Sequence, residues 1–198
     1  MTEGIDPHAS PDFPTDADLL AAHVGGDPDA FATLVARHQP RMWAIALRVM
    51  RNPEDAADAL QDAYIAAFRR AGSFRGDSQV TTWLHRVVVN ACLDRLRGMK
   101  SRSTEPLPVD IDRSPRFGIA DTERPLEIQE ERTRVGAAMA TLNVDQRAAL
   151  VLVDMEGYSV EEAAQILGCA PGTVKSRCAR GRARLLPLLI HLKAEEGT

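Results

Sequence analysis

Residues 158–186 read YSVEEAAQILGCAPGTVKSRCARGRARLL. Ser159 stands just before an apolar-periodic run and Glu162 three positions later, the reciprocal capping pattern of a helix start. The segment GCAPG at 168–172 interrupts the helical pattern, and a second helical run follows. Two helices joined by a short turn containing glycine make a helix-turn-helix. Ala163 and Ala164 are small where such helices must approach, and Val160, Ile166, Leu167 and Val174 suit the seam between them. From residue 163 to residue 194 the chain carries six bases and no acid. In this motif the leading turn of the second helix reaches base edges in the major groove while flanking groups hold phosphates. Thr173, Lys175, Ser176, Arg177, Arg180 and Arg182 are therefore the candidate DNA-reading residues. The competing interpretation is a helical hairpin whose basic face is simply solvated.

Outward from this stretch the helical signal continues. The 198 residues contain 29 alanines and only 5% aromatics, which favours helices over sheets. The net charge of −4 argues against a nucleic-acid partner when taken whole, but the charges segregate. Residues 3–62 hold 11 acids against four arginines, whereas residues 69–102 hold eight bases against two acids. Each basic stretch can meet a polyanion separately.

Residues 1–15 lack periodicity and form a disordered lead. Asp16 is placed to cap a first helix ending at 25–26, and Asp27-Pro28 marks a second start with a kink at Pro40. Asn52-Pro53 opens a helix with acids in its first turn, running to 71. A polar loop over 73–78 leads to a helix over 79–97 that Gly98 ends. Residues 99–125 are proline-punctuated and aperiodic, a flexible linker whose 27 residues reach roughly 90 Å at ~3.3 Å each. Helices resume over 126–141, 143–156, 159–167 and 172–186. The fold expected is all-α: small helical domains over 16–98 and 126–192 joined by that linker, then a tail over 193–198.

Several classes are excluded. No apolar stretch exceeds six residues, and one of that length, 185–190, contains Pro187, so no direct membrane insertion is expected. No secretory signal opens the chain, and Cys92, Cys169 and Cys178 show no C-x-x-C spacing, as in a reduced cytoplasmic protein. The five histidines are scattered, and no H-E-x-x-H, phosphate-loop or G-x-S-x-G pattern occurs. No enzyme, cofactor or metal is expected.

The N-terminal half carries three further motifs: Asp55-Ala56-x-Asp58-x-x-Gln61-x-x-Tyr64, then Phe74-Arg75-Gly76-Asp77, then Thr82-Trp83-Leu84 with Asn90. Glu54, Asp58 and Asp62 fall at i, i+4, i+8, where like charges repel by a few tenths of a kcal/mol. A basic partner surface would explain such a face; a merely solvated one and a carboxylate metal site are the alternatives, the last lacking any completing ligand. In this order, and with the helix-turn-helix behind them, the motifs make the chain from 16 to 186 resemble an extracytoplasmic-function (group IV) sigma factor of bacterial RNA polymerase.

That resemblance implies two DNA-reading domains, sigma regions 2 and 4, delivered by core RNA polymerase, whose largest-subunit coiled coil and flap would be the partners. Asp55, Asp58, Gln61, Asp62 and Tyr64 would meet the coiled coil. Phe74, Val87 and Asn90 would receive a flipped base of the −10 promoter element, with Arg75, Arg86, Arg95 and Arg97 on phosphates; unstacking a base costs a few kcal/mol, which a receiving pocket lowers. Trp83 suits a core position better than a wedge. The recognition helix would read the −35 element, though Ala179 is smaller than the residue many relatives carry there and Gly181 invites fraying, at about 1 kcal/mol relative to Ala. An anti-sigma factor is a further implied partner. A stand-alone helix-turn-helix regulator is the other reading, but no strand pattern of a phospho-receiver accompanies the motif.

Overall fold

The computed structural model describes residues 14–102 and 126–195. Of the expected lead over 1–15, linker over 99–125 and tail over 193–198, residues 1–13, 103–125 and 196–198 lie outside the described residues, while 99–102 and 193–195 are helical, as ends of longer helices. Among the described residues every regular element is helical: α1 (Asp16–Val24), α2 (Ala30–Met50), α3 (Pro53–Arg70), α4 (Val80–Arg102), α5 (Leu126–Ala140), α6 (Val144–Leu150), α7 (Val160–Leu167) and α8 (Pro171–Glu195). A single 3₁₀ turn (Ala71–Ser73) follows α3, and α6 runs into a π turn over Val151–Met155.

The helix starts follow local chemistry. Asn52 accepts from the N–H groups of Glu54 and Asp55, with Pro53 at the first helical position. Ser159 and Glu162 form the reciprocal capping box of α7. At α1 the cap is Thr15, not Asp16: Thr15 pairs reciprocally with Asp18, and Asp16 instead reaches Arg37 and His38 on α2, at 2.7 and 2.6 Å. Burial opposes ionisation of Asp16, but the hydrogen bonds and charges of Arg37 and His38 outweigh it and hold the carboxyl below its ordinary value.

Two helices run past the ends that composition suggests, α4 to Arg102 and α8 to Glu195. α2 passes through Pro40 unbroken, and α4 passes Gly98. α8 does not fray at Gly181, which is buried where α8 crosses α6. A Cβ there would stand 2.7 Å from Leu150 Cδ1, so glycine is what lets the two helices approach.

Leu34, Met42, Ile45 and Val49 of α2 close with Leu60 of α3 and Leu84, Val88 and Val89 of α4 into one core. Leu150, Leu152, Ile166, Val174 and Cys178 build the C-terminal core, and the buried residues of the halves are continuous. α4 packs against α7, so the halves touch directly.

Candidate nucleic-acid and polymerase interfaces

The leading turn of α8 presents Lys175, Ser176 and Arg180 to solvent, with Thr173 half-buried behind them. Ser176 Oγ donates to the Thr173 carbonyl at 2.9 Å, and Arg180 folds back onto the Ser176 carbonyl and hydroxyl, both at 3.2 Å. The bases are not unopposed as the local count implied. Arg177 pairs with Asp145 at 3.2 Å, and Arg182 clasps Asp154 through Nε and Nη2 at 3.0 and 2.5 Å. Those acids come from α6 and its π turn, outside the stretch counted. Lys175 and Arg184 have no ion pair among the described residues.

In the N-terminal half, α3 and α4 flank an open groove of about 690 Å³ lined by Arg86, Val87 and Asn90, together with Trp83, Arg70 and Ser73. The side-chain amide of Asn90 makes no hydrogen bond among the described residues. Phe74 is half-buried rather than fully exposed: its ring lies 5.6 Å from that of Trp83, tilted by 56°. Phe74 and Arg75 do not line the groove, whereas Trp83 does while also packing on the core. Arg97 pairs with Asp94 at 3.0 Å. Arg95 lines the same groove, but its guanidinium is engaged by the acidic face of α3.

There Arg95 contacts Asp58 and lies 3.6 Å from Asp55 and 3.9 Å from Asp62. The carboxylate ladder therefore has an internal cation, an explanation that the spacing along α3 did not show. Gln61 stays exposed, while Tyr64 is half-buried with its hydroxyl unbonded, and burial raises its pKa. Two residues were missed: Ile65 and Phe68, 42% and 54% exposed, continue the Gln61 face at i+4 and i+7. Phe68 is propped by Phe31 and His23 at ring separations of 5.2 and 4.5 Å. Exposed apolar groups beside acids make an amphipathic strip of the kind that marks interaction surfaces, and their spacing on the helix was the available signal.

No cluster of three metal-ligating side chains occurs among the described residues, and no described helix is long and apolar enough to cross a membrane. Residues 34–102 match sigma-70 region 2, and residues 132–185 match sigma-70 region 4. The extracytoplasmic-function RNA polymerase sigma factor SigM of Mycobacterium tuberculosis is 52% identical over 178 residues, spanning 90% of this chain and 86% of the relative. The chain belongs to the extracytoplasmic-function sigma factors. The sigma-E factor of Escherichia coli K12 is 34% identical to this sigma factor over 174 residues, covering 85% of it and 91% of the relative. Among solved structures, the sigma factor RpoE in complex with the anti-sigma factor NepR from Bartonella quintana superposes with a TM-score of 0.64 at 29% identity, over 81% of this chain and 97% of that one. CnrH in complex with the cytosolic domain of CnrY gives 0.63 at 28% identity, over 89% and 97%. The first matched segment covers most of α2 and all of α3 and α4, and the second runs from within α5 into α8.

Proposed function

We propose that this sigma factor docks on core RNA polymerase through the outer face of α3, opens the −10 element at the α3–α4 groove and reads the −35 element with α8. Region 2 then spans 16–98 and region 4 spans 126–192. What supports the −10 assignment is the groove: Arg86, Val87 and Asn90, expected from sequence to meet that element, line one cavity, and the Asn90 amide is unengaged. Trp83 joins them as a stacking surface, with Phe74 backing its ring. On α3, Asp58, Gln61 and Asp62 form the polar part of the docking strip and Ile65 and Phe68 its apolar part.

One solved relative is held by an anti-sigma factor, so the same kind of protein is proposed to control this chain. It works in the cytoplasm, where polymerase is, and has no chemistry of its own. The test is run-off transcription: core polymerase with and without the chain on genomic fragments, followed by 5′-end mapping. Chain-dependent start sites sharing upstream elements support the reading. Promoter binding without polymerase would favour a stand-alone regulator.

A further inference from the structure

We propose that Arg177 does not read the −35 element but positions the helix that does: braced by Asp145 of α6, it fixes the rotation of α8 so that Lys175, Ser176 and Arg180 meet DNA. This rests on the reading of α8 as the −35 reader given above.

Positions 175, 176, 179 and 180 form the outward face of α8 and are all exposed, whereas Val174, Cys178 and Gly181 are buried. Arg177 stands one turn before Gly181 and shares its face, toward α6 rather than solvent. Its side chain is only 21% exposed. Arg177 Nη2 lies 3.2 Å from a carboxylate oxygen of Asp145, and Nη1 donates to the Cys169 sulfur at 3.7 Å, in the turn between α7 and α8. Both ends of the guanidinium are engaged inside the protein. An arginine reads guanine by offering two N–H groups together to O6 and N7. Arg177 could do so only by giving up Asp145 and Cys169. Asp145 is not needed to start α6 either, because Asn143 is the cap.

α6 and its π turn meet α8 at three places. Asp145 takes Arg177, Leu150 and Gln146 are the side chains that a Cβ on Gly181 would meet, and Asp154 takes Arg182 through Nε and Nη2. The glycine contact sets how closely the helices approach. It cannot set their rotation, because a position without a side chain keys into no groove. The charged pairs on either side of it do, and the Arg177 pair is the less exposed of the two. Rotation matters for reading. A roll of ~10° displaces a side-chain tip by ~1 Å at the ~6 Å radius of a helix with its side chains. That shift takes a hydrogen bond to a base edge out of its working range.

The test is transcription by core polymerase with the full chain, on a promoter mapped by run-off and on its single-base variants across the −35 element. Output is read as the ratio of each variant to the parent promoter, which cancels the amount of folded chain. Arg177→Met and Asp145→Asn should each shrink discrimination at every base pair that α8 reads, by a similar factor on the order of 3- to 10-fold, with the double variant no worse than the worse single. The slope of log promoter affinity against log salt should not change in Arg177→Met, since a lost phosphate contact would flatten it by about 0.9. The charge swap Asp145→Arg with Arg177→Asp should regain part of the discrimination that Arg177→Asp alone loses. A carboxylate replacing a DNA-reading arginine could not do that. Loss at one base pair alone, a slope flattened by about 0.9, native discrimination in Asp145→Asn, or a folded swap that regains nothing overturns the positioning role. If circular dichroism shows the swap unfolded, Arg177→Met and Asp145→Asn decide. If Lys175→Ala and Arg180→Ala both keep native discrimination, the reading of α8 fails instead. The brace is then still measured by melting temperature, where the Arg177→Met and Asp145→Asn shifts should not add.

Discussion

Asn90 gives the sharpest test of promoter opening. It lines the α3–α4 groove, is half-buried, and its side-chain amide is unbonded among the described residues. Asn90→Ala therefore removes no internal hydrogen bond, and its effect on stability should stay within about 0.5 kcal/mol. If the amide reads an extruded base, losing the contact costs about 1–3 kcal/mol, or roughly 5- to 140-fold in transcription. Phe74→Ala differs because Phe74 packs on Trp83 and the core. It should lower the melting temperature as well as transcription. The assay compares a duplex promoter with one pre-melted across the −10 region, where the unstacking cost has been removed. Asn90→Ala should recover much of its loss on the bubble and show a near-native melting curve. Equal loss on both templates, or a large drop in melting temperature, would refute the base-receiving role.

Four more outcomes follow from the structure. Lys175→Ala, which breaks no ion pair, should reduce transcription with core affinity unchanged; loss of core binding in a pull-down would remove α8 from the DNA face. Asp58→Arg with Asp62→Arg should weaken association with core, because like charges would meet across the interface and Arg95 would lose two partners; undiminished pull-down counts against the α3 strip. Gly181→Ala gains about 1 kcal/mol of helix propensity but forces a Cβ to 2.7 Å from the buried Leu150, and overpacking of about 1–3 kcal/mol should leave it net destabilised in denaturant unfolding. Burial, with help from the Arg41 and His38 charges, lowers the His85 pKa to about 4 from its ordinary 6.5. The unfolded chain thus binds a proton that the folded chain refuses, so stability is lost as pH falls from 6.5 toward 4, on the order of 3 kcal/mol. His85→Gln should flatten that part of the pH–stability curve.

What the sequence shows clearly is whatever neighbours decide. Asn52-Pro53 and the Ser159/Glu162 box are caps closed within three residues, and both stand where the pattern puts them. Helix ends are less legible: Gly98 looks like a stop and Gly181 like a point of fraying, yet α4 and α8 run past both, and at Gly181 the reason is close packing against Leu150. The local reading of charge fails for the same reason. The bases of α8 seem unopposed until Asp154 arrives from 28 residues away. The carboxylates of α3 seem self-repelling until Arg95 reaches Asp58 across 37. Glu156 meets Arg41 across 115 positions, beyond any pattern a helical wheel can show. Ile65 and Phe68 are legible in the sequence, since they share the Gln61 face at i+4 and i+7.

These internal pairs bear on how the sigma factor finds DNA. Arg177 and Arg182 are engaged by Asp145 and Asp154, which leaves Lys175, Arg180 and Arg184 as the cations without a carboxylate partner among the described side chains of α8. Each phosphate contact contributes about 0.9 to the slope of log affinity against log salt, so three give roughly −3, where a full repressor reaches about −10. So few contacts supply little sequence-independent affinity, and non-specific binding depends on that term. A stand-alone regulator would need a second copy or more basic surface. A subunit carried by polymerase does not, because core holds the complex on DNA and the sigma factor need supply only the difference between one sequence and another. The acids that disarm α8 thus suit a protein whose DNA reading is meant to count only after it has docked.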